Sequence, residues 1–487
     1  VLEGSVRKSG AWLHINAQLI DTRTDAHVWA EQYDRDLKDV FAIQSEIAQE
    51  VAGQLHAKIS ASERLAIERP PTADLTAFDL YSRAKNFLLA ASNTTNLTRG
   101  GEDLMRAADL LNQAVGHDPT FLQAYCQLAW THDYLYYNGF DRTPARLSLA
   151  EAAIQAAFQL RPDAGEVHLA RAWNLYRGYR DYDGALAELH IAGKTLPNDA
   201  RLFELKGYIE RRRPGDQEEG LRNLERAIEL DPRNIQLLQQ ASVSYDNLQR
   251  YAEEEAILDR ALAVEPNNVQ TKVARAFVDF DWKANTRPAH QLIDELGAKD
   301  PGAIQSVADS WLLCALAERD SAAAANALAA IGEDRTGNET VKYTSRFLEG
   351  LIGRMEKDDA KARAAFTAAR AEQEKLVGAR PDDAGALCVL GLIDAALGRK
   401  EEALREGWRA VELLPVEKDA RSGSFIIVVL AKIAAWVGDK DLACEQLAAA
   451  IRHGSYLSYG ELKLLPWWDP LRGDPRFEKI VASLAPK

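Results

Sequence analysis

Little in this sequence is arranged for reactive-thiol, metal or phosphate chemistry. Its four cysteines, Cys126, Cys314, Cys388 and Cys444, lie far apart within apolar helical patterns and form no CxxC pair, so they read as buried thiols in helices. The nine histidines are scattered, with no HxH or HExxH pairing from which a zinc site could start. No GxSxG elbow occurs, and no cysteine has the histidine and asparagine context of a thiol nucleophile. Gly193-Lys194-Thr195 has the ending of a phosphate loop, but Glu188 stands where a Walker motif needs its first glycine. Positive charge is short as well. Against 73 Asp and Glu there are 59 Lys and Arg, and a net charge of −14 has the wrong sign for a general nucleic-acid or anionic-membrane binder. Long apolar runs are missing too: the longest, Phe425 to Val437, is broken by Lys432 and falls short of the ~20 residues of a membrane span. These absences predict a non-enzymatic chain without a cofactor, a metal or a membrane span.

What the sequence does have is punctuation. Pro162, Pro197, Pro232, Pro266 and Pro301 recur at intervals of 35, 35, 34 and 35 residues. Each sits where a helical pattern has just ended, lacks an N–H, and suits the first turn of the next helix. Between Pro197 and Pro232 lie two amphipathic segments, RLFELKGYIERR and EEGLRNLERAIEL, split by Pro214-Gly215. Two helices per period of about 34 residues build a solenoid, which escapes the roughly 250–300-residue limit of a single core because each repeat packs only on its neighbours. We place hairpins near 77–118, 120–161, 163–196, 198–231, 233–265, 267–300, 302–332, 339–380, 382–414 and 422–453.

Register can be checked internally. Ten residues after each proline, where the partner helix crosses, stand Ala129, Ala172, Gly207, Ser242, Ala276 and Gly391, but Trp311 after Pro301. The second helices repeat a small–large–small triplet: Ala107, Leu111, Ala114; Ala150, Ile154, Ala157; Ala185, Leu189, Ala192; Gly220, Leu224, Ala227. Near 332–340 a proline is missing and the preceding helix is alanine-rich, which predicts a softer joint there.

Residues 1–37 are the β-like part of the chain, reading as a three-strand meander, and Asp39–Ser60 reads as an amphipathic helix with Ile43, Ile47 and Ile59 on one side. The chain lacks an initiating methionine and opens inside a strand, which predicts that it was cut from something longer. If the first strand is an edge, Val1, Leu2, Glu3, Gly4, Ser5, Val6 and Arg7 are open to pairing with a second copy in a homo-oligomer or filament; the alternative puts this strand at the centre of the sheet.

The triplet and its closing proline resemble the tetratricopeptide repeat family over about four fifths of the chain. Residues 1–60, with LEGSVRKSG, AQLID and VWAEQYDRDLKDVFAIQSEIA, resemble the latter half of the TolB-like amino-terminal domain of bacterial signalling proteins, and LLPWWDPLRGDPRFEKIVASL resembles the closing cap of such regulators. The implied fold is mainly α: a superhelical α-solenoid of about ten hairpins behind a small α/β piece of three strands and a helix. The implied domains are 1–69, 70–453 and a cap over 454–487. The implied function is a protein or peptide interaction scaffold, the docking or sensory arm of a bacterial regulator. It would be cytoplasmic, or periplasmic or extracellular if an upstream span or export signal has been removed.

By the same resemblance, the first helices line a concave groove. Its exposed positions would be Gln123, Trp130, Asp133 and Tyr134; Glu166, Trp173, Tyr176 and Arg177; Arg201, Tyr208, Arg211 and Arg212; and Gln236, Val243, Asp246 and Asn247. Aromatic and arginine side chains together are what peptide hot spots use. The competing reading of Trp130, Trp173 and Tyr208 is packing between neighbouring first helices. Arg177, Arg201, Arg211 and Arg212 together would make a positive patch for a carboxylate-bearing peptide.

Overall fold

A computed structural model describes residues 1–21, 24, 26–55, 69–93, 97–299, 303–332, 336–454 and 457–486. Within it the chain divides into two units, Val1–Arg180 and Asp181–Lys487, a division that falls at neither of the boundaries expected from the sequence.

The first unit opens with an antiparallel meander, β1 (Leu2–Ser9), β2 (Trp12–Asp21) and β3 (Ala26–Asp36), in the order β1-β2-β3. Two successive hairpin connections put β2 in the centre, so the alternative of a central first strand is corrected: β1 is an edge. Alternation along β2 turns Leu13, Ala17 and Leu19 into a small core with Tyr33 of β3 and Ile43 of helix α1 (Val40–Gln54). Register sets Leu2 opposite Leu19 and Val6 opposite Ile15, so the apolar side of β1 continues this core face, yet Val6 stays 66% exposed. The expected helix end at Ser60, with Ile59, lies outside the described residues. Phe41 of α1 meets Phe78 edge-on, with ring centroids 4.8 Å apart. Phe78 belongs to α2 (Leu75–Asn93), which pairs with α3 (Leu97–His117). Next come α4 (Leu122–Tyr137), α5 (Pro144–Leu160) and α6 (Gly165–Asn174), which runs into one π-helical turn, Leu175–Tyr179.

The second unit holds α7 (Tyr182–Ala192), α8 (Ala200–Glu210), α9 (Gln217–Leu230), α10 (Ile235–Asn247), α11 (Tyr251–Val264), α12 (Val269–Lys283), α13 (Arg287–Lys299), α14 (Ala308–Glu318) and α15 (Ser321–Ile331). After a two-residue-strand hairpin, β4 (Thr336–Gly337) and β5 (Lys342–Tyr343), the helices resume with α16 (Ser345–Met355), α17 (Asp359–Ala379), α18 (Ala384–Ala396), α19 (Lys400–Leu413), α20 (Ala420–Trp436) and α21 (Lys440–Arg452). The chain closes with α22 (Tyr459–Leu464) and α23 (Pro475–Ser483). The architecture is therefore mainly α, a tetratricopeptide-type series of hairpins with a small sheet at its start, and the expected hairpins all fall on observed helices.

The punctuation works differently in detail. Pro232 and Pro266 lie two residues before the helix caps Asn234 and Asn268, whose side chains accept from the N–H groups of Leu237 and Thr271. Proline ends one helix and the following Asp or Asn starts the next, rather than proline itself entering the first turn. Pro301 lies outside the described residues. The small–large–small triplets of α3, α5 and α9 are the seams of their hairpins, and with the triplet of α7 all of their alanines, leucines and Ile154 are fully buried. A Cβ on Gly207 would sit 2.7 Å from Leu224 Cγ and 2.9 Å from the Gly220 carbonyl, so this crossing is open only to glycine.

The described residues of the joint near 332–340 are packed. Val341 is fully buried and Tyr343 stacks between Phe347, at 5.1 Å, and Trp467, at 5.8 Å. One continuous core runs beneath it from Phe280 to Leu484, and it includes the capping residues Trp468, Leu471 and Phe477. Residues 333–335 lie outside the described set.

Candidate functional site

The expected groove positions fall into one cluster in each unit. In the first, Trp130 and Tyr134, one turn apart on α4, stack with centroids 4.8 Å apart and planes 11° apart. The π-helical turn after α6 then delivers Arg177, whose guanidinium lies 4.6 Å from the Trp130 ring, 4.8 Å from Tyr134 and 4.1 Å from Trp173. A π turn inserts one residue and rotates the residues after it, which is how Arg177 comes to face the rings. Tyr176 extends the array to Tyr137, at 6.1 Å. Trp173, Tyr176 and Arg177 are buried, whereas Gln123, Trp130, Tyr134, Tyr137 and Glu166 keep part of their surface in solvent.

Asp133 lies fully buried beneath this shelf. One of its carboxylate oxygens accepts from the Asn174 amide at 2.8 Å, and Arg171 donates to the same amide's oxygen at 2.8 Å. Its second oxygen has no hydrogen-bond partner among the described residues. Burial pushes its pKa up to about 7, against the opposing Asn174 hydrogen bond and the charges of Arg177 and Arg171. Sealed from solvent, the carboxyl is not the exposed groove position that the sequence led us to expect.

In the second unit the expected exposure is overturned. Tyr208, Arg211, Arg212 and Asn247 are buried, Asp246 is half-buried, and Arg201 is exposed but paired with Asp199 at 2.6 Å. Arg211 donates to the Gln240 carbonyl at 3.3 Å and its side-chain oxygen at 3.0 Å. Arg212 reaches 207 residues along the chain to Asp419, at 2.9 Å, and also pairs with Glu339 at 2.7 Å. Tyr182 donates to the same Asp419 oxygen at 2.9 Å, and the Ala420 N–H donates to the Arg212 carbonyl at 2.7 Å. Nearby, Gln249 donates to the Leu457 carbonyl at 3.4 Å, and Gly460 lies so close to the Phe280 carbonyl that no Cβ fits. This face is therefore covered by the start of α20 and by the segment leading into α22. The physical reason is the superhelix itself: later hairpins return alongside earlier ones, and a buried arginine is tolerated because carboxylates return with them.

The covered face also gathers Asp246, Glu254, Asp281 and Glu461. Burial chiefly, with neighbouring carboxylates adding, holds Asp246, Glu254 and Asp281 above the usual carboxylate range. The expected positive patch thus does not assemble: Arg177 sits among rings, Arg211 and Arg212 are internal, and Arg201 belongs to Asp199. Asn174, Arg171 and Asp419 were missed from the sequence, since polar residues in helices carry no spacing that announces a partner tens or hundreds of positions away.

Among the described residues, no helix is long and apolar enough to cross a membrane. No protein-family model matches the chain. A curated relative, "Putative adenylate cyclase 3" of Rhizobium meliloti (strain 1021), is 35% identical over 159 residues, which is 32% of this chain and 26% of that protein, so the chain matches only about a quarter of the relative's length. Solved structures similar to parts of the chain include the type IV pilus biogenesis factor PilW, at 15% identity over 48% of this chain and 99% of that one, with a TM-score of 0.34. Another is a thermophilic TPR protein of Thermus thermophilus, at 18% identity over 40% of this chain and 98% of that one, with a TM-score of 0.32. The fold assignment rests on the hairpins, their seams and their caps.

Proposed function

We propose that the chain is a non-enzymatic protein-interaction scaffold whose docking surface is the aromatic shelf of the first unit. The observation carrying this reading is the half-open Trp130–Tyr134 stack clamped by Arg177. Rigid aromatic area held at low conformational entropy is what binding hot spots are built from. The partner is an extended peptide that lays an apolar side chain on the Trp130 ring, with Gln123 and Glu166 at the edges of the contact. The partial match to a Rhizobium protein named as a cyclase supports placing such a scaffold in a bacterial signalling protein, where it would serve as a docking arm beside other domains.

Peptides selected on the full chain from a displayed random library supply the probe. Trp130→Ala is expected to weaken the selected peptides at least about tenfold, the scale of a hot-spot residue, in a chain that circular dichroism shows still folded. Arg201→Ala, on the other unit, should leave binding intact. Selected peptides that bind both variants like the parent would sink the reading.

A second reading, self-assembly, is favoured by one observation: β1 is an edge strand exposed along its whole length, with Leu2 and Val6 prolonging the buried stripe of β2.

A further inference from the structure

Among the described residues, the scattered histidines and cysteines acquire one meeting point that no sequence spacing announces. His290 and Asp294 lie one turn apart on α13, and Cys314 and Glu318 lie one turn apart on α14. Residues four apart share a helix face, and here the two faces meet. One ligand atom each from His290, Cys314 and Glu318 lies within 4.8 Å of the other two. The imidazole Nδ1 is 2.8 Å from Glu318 Oε2, and Nε2 is 3.4 Å from Asp294 Oδ2.

We propose that His290, Cys314 and Glu318 bind a thiophilic divalent cation, zinc by ligand type, with Asp294 as the residue that orients the imidazole. Donor chemistry carries the choice. One thiolate, one imidazole and one carboxylate form a mixed S, N, O set that suits zinc and its substitute cobalt, whereas magnesium and calcium take all-oxygen shells. Around a tetrahedral zinc, with bonds of about 2.0–2.3 Å, neighbouring donors stand about 3.3–3.8 Å apart. His290 Nδ1 and Glu318 Oε2 therefore have to part by about half an ångström while any separation near 4.8 Å closes by about one, which His290 and Glu318 can supply through side-chain torsions because both reach solvent.

The surroundings fit a site with a fixed floor and an open rim. Cys314 is 2% exposed and packs with Ala289 and Ile293, with Trp311 against them, so the sulfur is held in one place. His290 is half-exposed, and Asp294, Glu318 and Asp320 make the rim anionic. On binding, the thiol proton leaves to solvent and the imidazole binds through Nδ1 as the neutral ring with its single proton on Nε2, any second ring proton leaving to solvent; Nε2–H then donates to Asp294, the carboxylate–histidine–metal arrangement that fixes the tautomer in known sites. Three protein ligands leave a fourth position for water or for a side chain of a bound protein.

Cobalt(II) added to the full chain under reducing conditions tests this directly. The expected result is one equivalent bound with a thiolate-to-cobalt charge-transfer band and the visible bands of a tetrahedral centre, both displaced by zinc. Cys314→Ala should abolish the charge-transfer band even though Cys126, Cys388 and Cys444 remain. Glu318→Gln, a change at the rim, should weaken binding, and Asp294→Asn should weaken it about 10–100-fold, the usual effect of losing an orienting carboxylate. A band that survives Cys314→Ala with its intensity intact places the metal on another thiol and overturns the proposal. So does a parent chain that binds neither cobalt nor zinc while its circular dichroism shows it folded; His290 and Glu318 are then a hydrogen-bonded surface pair and nothing more.

Discussion

At the scale of single residues, a carboxyl whose pKa burial raises to about 7 beneath an aromatic shelf is the feature with the plainest consequence. The folded-state pKa of Asp133 is raised above its unfolded value, so its contribution to stability is complete below about pH 4 and is lost as pH rises through the folded value. At about 1.4 kcal/mol per pH unit, the first unit is expected to lose about 3 kcal/mol through this group between about pH 5 and about pH 8. Asp133→Asn should remove that slope, which melts of parent and variant at the two pH values will measure. Parallel slopes would mean that Asp133 is already ionised in the folded chain, paired with Arg177 or Arg171 more strongly than burial opposes. The same residue illustrates how burial decides chemistry: an aspartate in the middle of a first helix reads as a surface acid, and only its neighbours Asn174 and Arg171 reveal it as an internal one.

At the scale of elements, the contact between the end of α8 and the start of α20 does what no single repeat interface can. Asp419 caps α20 by accepting from the Ser422 N–H at 2.9 Å, and its other oxygen takes both Arg212 and Tyr182. Both charges are almost wholly shielded from water, so removing one leaves the other buried and unpaired. Arg212→Met is expected to cost about 3–5 kcal/mol, because the methionine stem fills the volume but strands Asp419. Tyr182→Phe removes one neutral hydrogen bond and should cost about 1 kcal/mol. Denaturant titrations give both values. An Arg212→Met loss no larger than that of Tyr182→Phe would show that Glu339, Arg421 and Ser422 rearrange to satisfy Asp419 without it. At the start of α20, Gly423 packs on the segment that leads into the helix, with the Val416 backbone 2.8 Å from an added Cβ position.

At the scale of the molecule, the two units differ in what they leave open to a partner. The second unit covers its own first-helix face with the chain's later helices, while the first keeps a half-open aromatic shelf and a sheet edge that no strand pairs among the described residues. Self-association through that edge has a direct test. Light scattering at matched concentration is expected to show any oligomer lost when residues 1–9 are deleted, since β1 exposes Leu2 and Val6 beside a full row of backbone donors and acceptors. An oligomer that survives the deletion places the contact on the helices.

The sequence by itself determined the helices and their pairing. The recurring proline, a small residue where helices cross, and the alanine–leucine–alanine seam are all local signals, legible because each reports contacts within one hairpin or between neighbours, although the Asn or Asp cap two residues after the proline was seen only in the structure. The meander was legible for the same reason, its strands being joined by short turns. Tertiary structure alone decided which faces stay open. Arg212 and Asp419 stand 207 positions apart, the π turn that aims Arg177 leaves no mark in hydrophobic period, and His290 and Cys314 belong to helices whose spacing shows amphipathicity but not which polar atoms will converge. The physical reason is that periodicity records burial against the next element, whereas the return of a superhelix upon itself depends on small rotations accumulated over many repeats, and no single repeat encodes their sum.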